Sequence, residues 1–180
     1  MNQLQIGRVG IVGANATGIA IAMGLADAGI PVTLFDAGRA ALDQALAHAR
    51  AGERERRLAL LAATVNFHHL KDCDLIIDTE EGDRAGKEAL FRRLDQAAPL
   101  GAVLATCRPE LGLDAIAGCT RRSGEVIGLL VGQSAPTVWG LVPTRHTSDD
   151  TLDAVNALLQ TLQDAATRAQ ESEAVTALAA

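Results

Sequence analysis

The stretch Gly13-Ala14-Asn15-Ala16-Thr17-Gly18 has the residue types and spacing to hold a phosphate. It follows a short apolar run, Val9-Gly10-Ile11-Val12, and leads into Ile19, Met23 and Ala26 at helical spacing. A glycine turn between a buried strand and a helix offers an anion unpaired backbone N–H groups and the positive end of the helix dipole. In the G-x-G-x-x-G form, the first glycine makes the turn and the second lets a diphosphate approach the backbone. The third lets helix and strand pack closely. Gly13 and Gly18 keep the outer positions, and Asn15 replaces the middle glycine. Asn tolerates left-handed backbone, but its side chain is expected to fill space a diphosphate would use and so to weaken binding. Asp36 closes the next apolar run, Val32-Thr33-Leu34-Phe35. An acid there, about twenty residues after the turn, accepts hydrogen bonds from a ribose 2′-OH and favours NAD over NADP. Gly13, Ala14, Asn15, Ala16, Thr17, Gly18 and Asp36 are therefore the expected contacts of an NAD dinucleotide. The competing use of the same residues is a plain strand–helix corner, with Asp36 capping the helix that follows.

The other reactive side chains assemble less well. His68 and His69 follow a short apolar run, and neighbours on an extended chain point to opposite faces. They read as surface histidines, and no metal site is assigned. Cys107 falls at the end of an apolar run beside Arg108, where a lowered thiol pKa would make a nucleophile. Its bland alternative is a small packing residue. His146 reads as a helix-entry residue and Trp139 as a core or interface anchor. Asp78-Thr79-Glu80-Glu81 is expected on the ligand-binding edge, where its charge would repel a pyrophosphate or a CoA phosphate. No catalytic residue is assigned.

These residues need a scaffold. Strand, glycine turn, helix and strand within about thirty residues make a βαβ unit, whose right-handed crossover makes the strands parallel. The alternation continues with a helix from Ala40 to about Leu61, carrying the solvated run Glu53-Arg54-Glu55-Arg56-Arg57, then a short strand at Val65-Asn66-Phe67. Asp74–Asp78, Gly101–Ala105 and Val126–Val131 are further buried strands, and Leu141-Val142 is a short one. Leu90, Leu94 and Ala97 stripe a helix from about Lys87. Thr147-Ser148-Asp149-Asp150 supplies N-cap candidates for a last helix bearing Leu152, Val155, Leu158, Leu159 and Leu162. The fold class is a single doubly wound α/β domain over residues 1–164, a mostly parallel Rossmann-type sheet with helices on both faces. Residues 165–180, rich in Ala, Glu, Gln and Thr, form a helical or frayed tail.

Composition removes several functions. Lys plus Arg total 16 against 22 Asp plus Glu, a formal charge of −6, which is the wrong sign for gripping a nucleic-acid backbone. Three Phe, one Trp and no Tyr leave few platforms for stacking bases. No apolar run approaches the ~18 residues of a membrane span, and the N-terminus lacks a signal-peptide pattern. Cys73, Cys107 and Cys119 are odd in number and lack CxxC spacing, which predicts a reducing, cytoplasmic setting.

The chain resembles the N-terminal NAD-binding domain of the 3-hydroxyacyl-CoA dehydrogenase family over nearly its whole length. The resemblance is carried by Val9-Gly10-Ile11-Val12-Gly13-Ala14, Leu34-Phe35-Asp36, Asp74-Leu75-Ile76-Ile77-Asp78, Lys87-Glu88-Ala89-Leu90-Phe91, Val126-Ile127-Gly128-Leu129 and Thr147-Ser148-Asp149-Asp150-Thr151. It implies a nucleotide-binding role, and the departures fall on the chemistry. In that family a His after Val-Ile-Gly-Leu is the catalytic base and a Glu twelve residues later orients it; Leu130 and Val142 stand there. The family's Asn-Thr-Ser-Ser aligns with Cys107-Arg108-Pro109-Glu110, and its Asn three residues after the His aligns with Gln133. Replacing both members of a buried pair by aliphatics is often neutral, whereas removing one strands a charge. A helical second domain, which supplies the family's dimer contacts, is expected to begin near residue 180, where this sequence stops.

The resulting expectation is an NAD(H)-binding protein without hydroxyacyl-CoA dehydrogenase activity of its own. An active oxidoreductase using another substrate or a partner polypeptide, and a ligand-free structural protein, are the alternatives. The apolar stripe on the last helix, with Trp139 beside it, is expected to build a homodimer.

Overall fold

Apolar runs four to six residues long, alternating with amphipathic stretches, bury both faces only as central strands flanked by helices. The computed structural model describes residues 4–50, 58–132 and 138–178, except the side chains at 139, 169, 170 and 172–178. The strands are β1 Val9–Val12, β2 Val32–Phe35, β3 Leu61–Thr64, β4 Leu75–Asp78, β5 Val103–Thr106, β6 Val126–Val131 and β7 Val138–Pro143. The helices are α1 Ala16–Asp27, α2 Arg39–Arg50, α3 Arg84–Ala97, α4 Leu113–Gly118 and α5 Asp149–Leu178. One sheet has the order β3-β2-β1-β4-β5-β6-β7. Pairing is parallel from β3 to β6, and β7 runs antiparallel to β6. From β1 the chain first builds outward through β2 and β3, then crosses to β4 and builds the other way. That reversal opens a crevice at the carboxyl ends of β1 and β4, the usual ligand position in such sheets.

Alternation along the strands divides the interior into two layers. Val9, Ile11, Leu34 and Ile77 face α1, α2 and α5, burying Ile19, Leu25, Leu42, Val155 and Leu158. Val12, Ile76 and Leu104 face α3 and α4, burying Phe91, Leu94, Leu113 and Ile116. The doubly wound sheet expected from the sequence is thus present. Ser148 caps α5 as expected, its Oγ accepting from the Thr151 N–H at 3.3 Å.

Several boundaries differ from the sequence reading. The helix expected to reach Leu61 is described only to Arg50, and Leu61 opens β3 instead. The strand expected at Val65-Asn66-Phe67 lies earlier, because Asn66 accepts from the His68 N–H and starts a 3₁₀ turn at Phe67. Helix α3 begins at Arg84 rather than near Lys87, since Asp83 caps it through the Gly86 N–H at 2.9 Å. The last helix continues without a break through residue 178. Leu158 and Leu159 are both buried within the chain itself, while Leu152 and Leu162 of the same stripe are half-buried. The charge run Glu53–Arg57, Gln133 and the Trp139 side chain lie outside the described residues. No described helix is long and apolar enough to cross a membrane.

One buried carboxylate ties the end of α3 to the entry of β6. Asp95 accepts from Arg121 Nε and from Arg122 Nε, each at 2.9 Å. Arg122 also donates to the carbonyls of Asp95, Ala98 and Pro99, satisfying the last turn of α3. Burial pushes the Asp95 carboxyl up, but the hydrogen bonds from Arg121 and Arg122 outweigh it and hold it below its ordinary value. A depressed folded-state pKa gives stability that is present above the unfolded value of about 3.9 and lost as pH falls through the folded one. Asp95→Asn should therefore cost about 2 kcal/mol in urea denaturation at pH 7. The gap to the unmodified protein should narrow at pH 3.

Candidate functional site

The crevice is built first by two glycines. Gly13 leaves β1 with φ +106, and a Cβ there would lie 2.8 Å from Thr79 Oγ1. A Cβ on Gly18 would lie 2.0 Å from the Gly13 carbonyl oxygen, so only glycine allows α1 to start this close to β1. Thr79, just past β4, closes the corner: its Oγ1 donates to the carbonyls of Val12 and Gly13 at 3.0 and 3.1 Å, sharing one proton.

Asn15 behaves differently from the sequence reading. Its backbone is extended, with φ −84 and ψ 179, so the left-handed tolerance of Asn is not used. Its carboxamide is turned onto the protein rather than standing free over the turn. Oδ1 accepts from the Gly18 N–H at 2.9 Å, and Nδ2 donates to the Thr79 carbonyl at 2.7 Å. The side chain thus takes one first-turn donor away from an anion. The N–H groups of Ala16 and Thr17 open the helix and have no acceptor within it.

Asp36 ties the glycine turn to the entry of α2. Oδ2 accepts from the Ala14 N–H at 2.9 Å, and Oδ1 accepts from the Gly38 N–H at 2.8 Å, just before α2. A carboxylate has about four lone-pair sites, so acceptor capacity remains for a ribose. The structure brings Gly13, Ala14, Asn15, Ala16, Thr17, Gly18 and Asp36 together at one end of the sheet.

The acidic segment after β4 does not act as a single repulsive edge. Asp78 is fully buried, and its carboxylate lies 2.8 Å from Lys87 Nζ, whose side chain is also buried. Thr106 Oγ1 donates to Asp78 Oδ2 at 2.9 Å, and the Glu80 N–H donates to Oδ1 at 3.1 Å. Lys87 also donates to the Glu80 carbonyl. Asp78 is therefore neutralised internally, and only Glu80 and Glu81 remain on the surface of that edge. Sequence reasoning missed this pair. Its signal was an acid closing an otherwise apolar strand, with a lysine in the first turn of the helix that follows.

The remaining candidates fall away. Cys107 is not an activated thiol: burial, then the nearby Asp78 charge, push it up to about 12. Arg108 is turned aside into an ion pair with Glu110. His68 and His69 are exposed, as expected, but they lie on a 3₁₀ turn, so the reason is not strand alternation. His69 Nδ1 lies 2.9 Å from Thr64 Oγ1. Exposed His146 donates its backbone N–H to Thr144 Oγ1 at 3.0 Å. No cluster of three metal-ligating side chains forms among the described residues.

Leu130 and Val142 sit on one face of the β6–β7 pair, in adjacent registers: Leu130 opposes Gly140 and Val142 opposes Gly128. Leu130 lies across Gly140, where an added Cβ would meet its Cδ1 at 3.2 Å. Pro109, Leu113 and Val142 close on Gly128 at 2.7 to 3.1 Å from a Cβ built there. The region is a packed aliphatic patch. A cleft of about 450 Å³ beside Val142 holds charged groups, but Asp114 and Arg145 pair with each other there at 3.4 Å.

With this geometry in place, the comparisons with known proteins are specific. Residues 8–172 match the 3-hydroxyacyl-CoA dehydrogenase NAD-binding domain. The chain belongs to that family. A 3-hydroxybutyryl-CoA dehydrogenase from Mycobacterium tuberculosis is 33% identical over 138 residues, covering 69% of this chain and 48% of its own length. The (S)-3-hydroxybutyryl-CoA dehydrogenase of Ralstonia eutropha superposes with a TM-score of 0.81 at 25% identity, covering 88% of this chain and 61% of that one. The 3-hydroxybutyryl-CoA dehydrogenase of Escherichia coli K12 gives a TM-score of 0.82 at 26% identity, covering 88% and 37%. The chain thus spans about half the length of the Mycobacterium tuberculosis relative.

The buried pair beneath the site gives a stability test. Lys87→Ala removes the cation paired with the buried Asp78, and should cost about 3–5 kcal/mol in chemical denaturation. Replacing both residues with aliphatics should recover much of that loss.

Proposed function

We propose that this chain binds NAD(H) in the crevice between β1 and β4 and does not by itself oxidise 3-hydroxyacyl-CoA esters. One contrast carries the reading: a glycine corner with donors and an acid at β1–β2 shares its sheet with an aliphatic patch at Leu130 and Val142. The residues present fit the coenzyme. Gly13 and Gly18 permit the close approach of β1 and α1. The N–H groups of Ala16 and Thr17 would hold the diphosphate, and the spare lone pairs of Asp36 would accept from the adenosine ribose. When bound, NAD supplies a hydride acceptor. Oxidising a hydroxyl also requires a group to take its proton, and a positioned base contributes about 10²–10⁴-fold. Neither Leu130 nor Val142 can hold a proton, and Cys107, pushed up to about 12, stays a neutral thiol at pH 7. The protein is accordingly a coenzyme-binding or regulatory component rather than a complete dehydrogenase.

Calorimetric titration with NAD⁺, followed by a turnover assay with 3-hydroxybutyryl-CoA, tests both halves. Saturable binding with no NADH formed is expected; robust NADH formation by the pure protein overturns the second half. Asn15→Gly returns the Gly18 N–H to the anion. It should tighten NAD⁺ by up to about tenfold, the worth of one charge-assisted hydrogen bond, while lowering thermal stability slightly through the lost cap. Equal or weaker binding by that variant would show that Asn15 is not what limits affinity.

A further inference from the structure

Among the acidic residues that follow β4, Glu80 packs against Gly13 at the start of the glycine turn. Its Cγ lies 3.1 Å, and its backbone N 3.3 Å, from the point where a Gly13 Cβ would sit. Its side-chain stem and backbone therefore pack against Gly13, the residue that opens the turn leading into Ala16 and Thr17. Glu80 is half-buried. Asp78 below it spends its charge on Lys87, and Glu81 beside it is exposed. Lys87 reaches the Glu80 carbonyl but spends its ion pair on Asp78.

We propose that Glu80 is an affinity-determining residue that makes coenzyme binding proton-linked: a dinucleotide diphosphate enters the crevice together with one proton taken up by the Glu80 carboxylate. The proposal rests on the coenzyme reading above. Its chemistry is a charge conflict. A diphosphate brings two negative charges to the corner, and an ionised carboxylate on a residue packed against the same turn opposes it, because like charges at close range disfavour the second ionisation. The groups facing Glu80 are Asp78 at the end of β4, Lys87 and Arg93 on α3, and Asp36 after β2. Burial, then Asp78, already raise the Glu80 carboxyl above its ordinary value, with Lys87 opposing them.

The sign follows from linkage. A bound diphosphate raises the Glu80 pKa further, so the complex holds the proton over a range in which the free protein does not. Affinity is flat and weak above the bound-state value, rises as pH falls through the window, and levels off below the free-state value. Within the window the slope reaches at most tenfold per pH unit, one proton per ligand.

The test titrates the whole chain with NAD⁺ and with ADP-ribose from pH 8 to pH 5, in paired buffers of different ionisation enthalpy. These report proton uptake directly on the unmodified protein. Adenosine, which lacks the diphosphate, is the control. The expected result is uptake of up to one proton with NAD⁺ and ADP-ribose and none with adenosine. Glu80→Gln should bind more tightly at pH 8 with no pH dependence, and Glu81→Gln should behave as the unmodified protein. Binding without proton uptake, or uptake that survives Glu80→Gln, overturns the proposal while leaving the coenzyme reading intact. Binding at pH 8 by Glu80→Gln alone supports it. If neither protein binds at any pH, the coenzyme reading fails and the proposal falls with it.

Discussion

The approach of Gly18 to the Gly13 carbonyl sets the geometry on which the rest of the site depends. A single carbon added to Gly18 would sit 2.0 Å from that oxygen, so α1 can begin this near the end of β1 only because Gly18 carries no side chain. Close approach places the opening N–H groups of α1 over the crevice where the sheet order reverses. It also brings Thr79 within reach of the Val12 and Gly13 carbonyls, so β4 is fastened to the same corner. Asn15 completes the knot by bonding both Gly18 and Thr79. The corner is held from three sides before any ligand arrives, which lowers the ordering cost of binding.

The carboxyl edge is acidic in sequence but uneven in charge. Asp78 and Lys87 neutralise each other in the interior, with Thr106 and the Glu80 N–H satisfying further lone pairs. A buried pair satisfied in this way costs little to keep and much to break. Farther along the edge, Leu130 crosses Gly140, and Val142 packs over Gly128. The two ends of the sheet differ in chemistry: the β1–β2 end keeps backbone donors and the acceptors of Asp36, and the β6–β7 end is filled with aliphatic side chains.

The architecture was legible because its signals are local. Buried strands read as apolar runs, Gly13 and Gly18 flank a turn of fixed length, and Ser148 caps a helix four residues before the stripe begins at Leu152. What stayed hidden depends on pairs distant in the chain. Asp78 and Lys87 read separately as a repulsive acid and a helix residue. Only the fold shows that the first turn of α3 delivers the lysine back to the end of β4. The carboxamide of Asn15 is held both by Gly18 three positions on and by Thr79, sixty-four positions later, and the second bond is invisible in the sequence. The β3 boundary failed for a nearer reason: Asn66 competes for backbone N–H groups and turns the chain before Phe67. On α5 spacing identifies the apolar positions, of which Val155, Leu158 and Leu159 are buried, without saying which neighbours cover them.

The claim at the centre of this account is that the first turn of α1 is an anion site with two free donors, the third being occupied by Asn15. Backbone amide shifts during titration with ADP-ribose test it most directly. The account predicts large shifts at Ala16 and Thr17, a shift at Asp36, and a smaller one at Gly18, whose N–H is already bonded. Shifts confined to other parts of the chain, with Ala16, Thr17 and Asp36 unmoved at saturation, would contradict it.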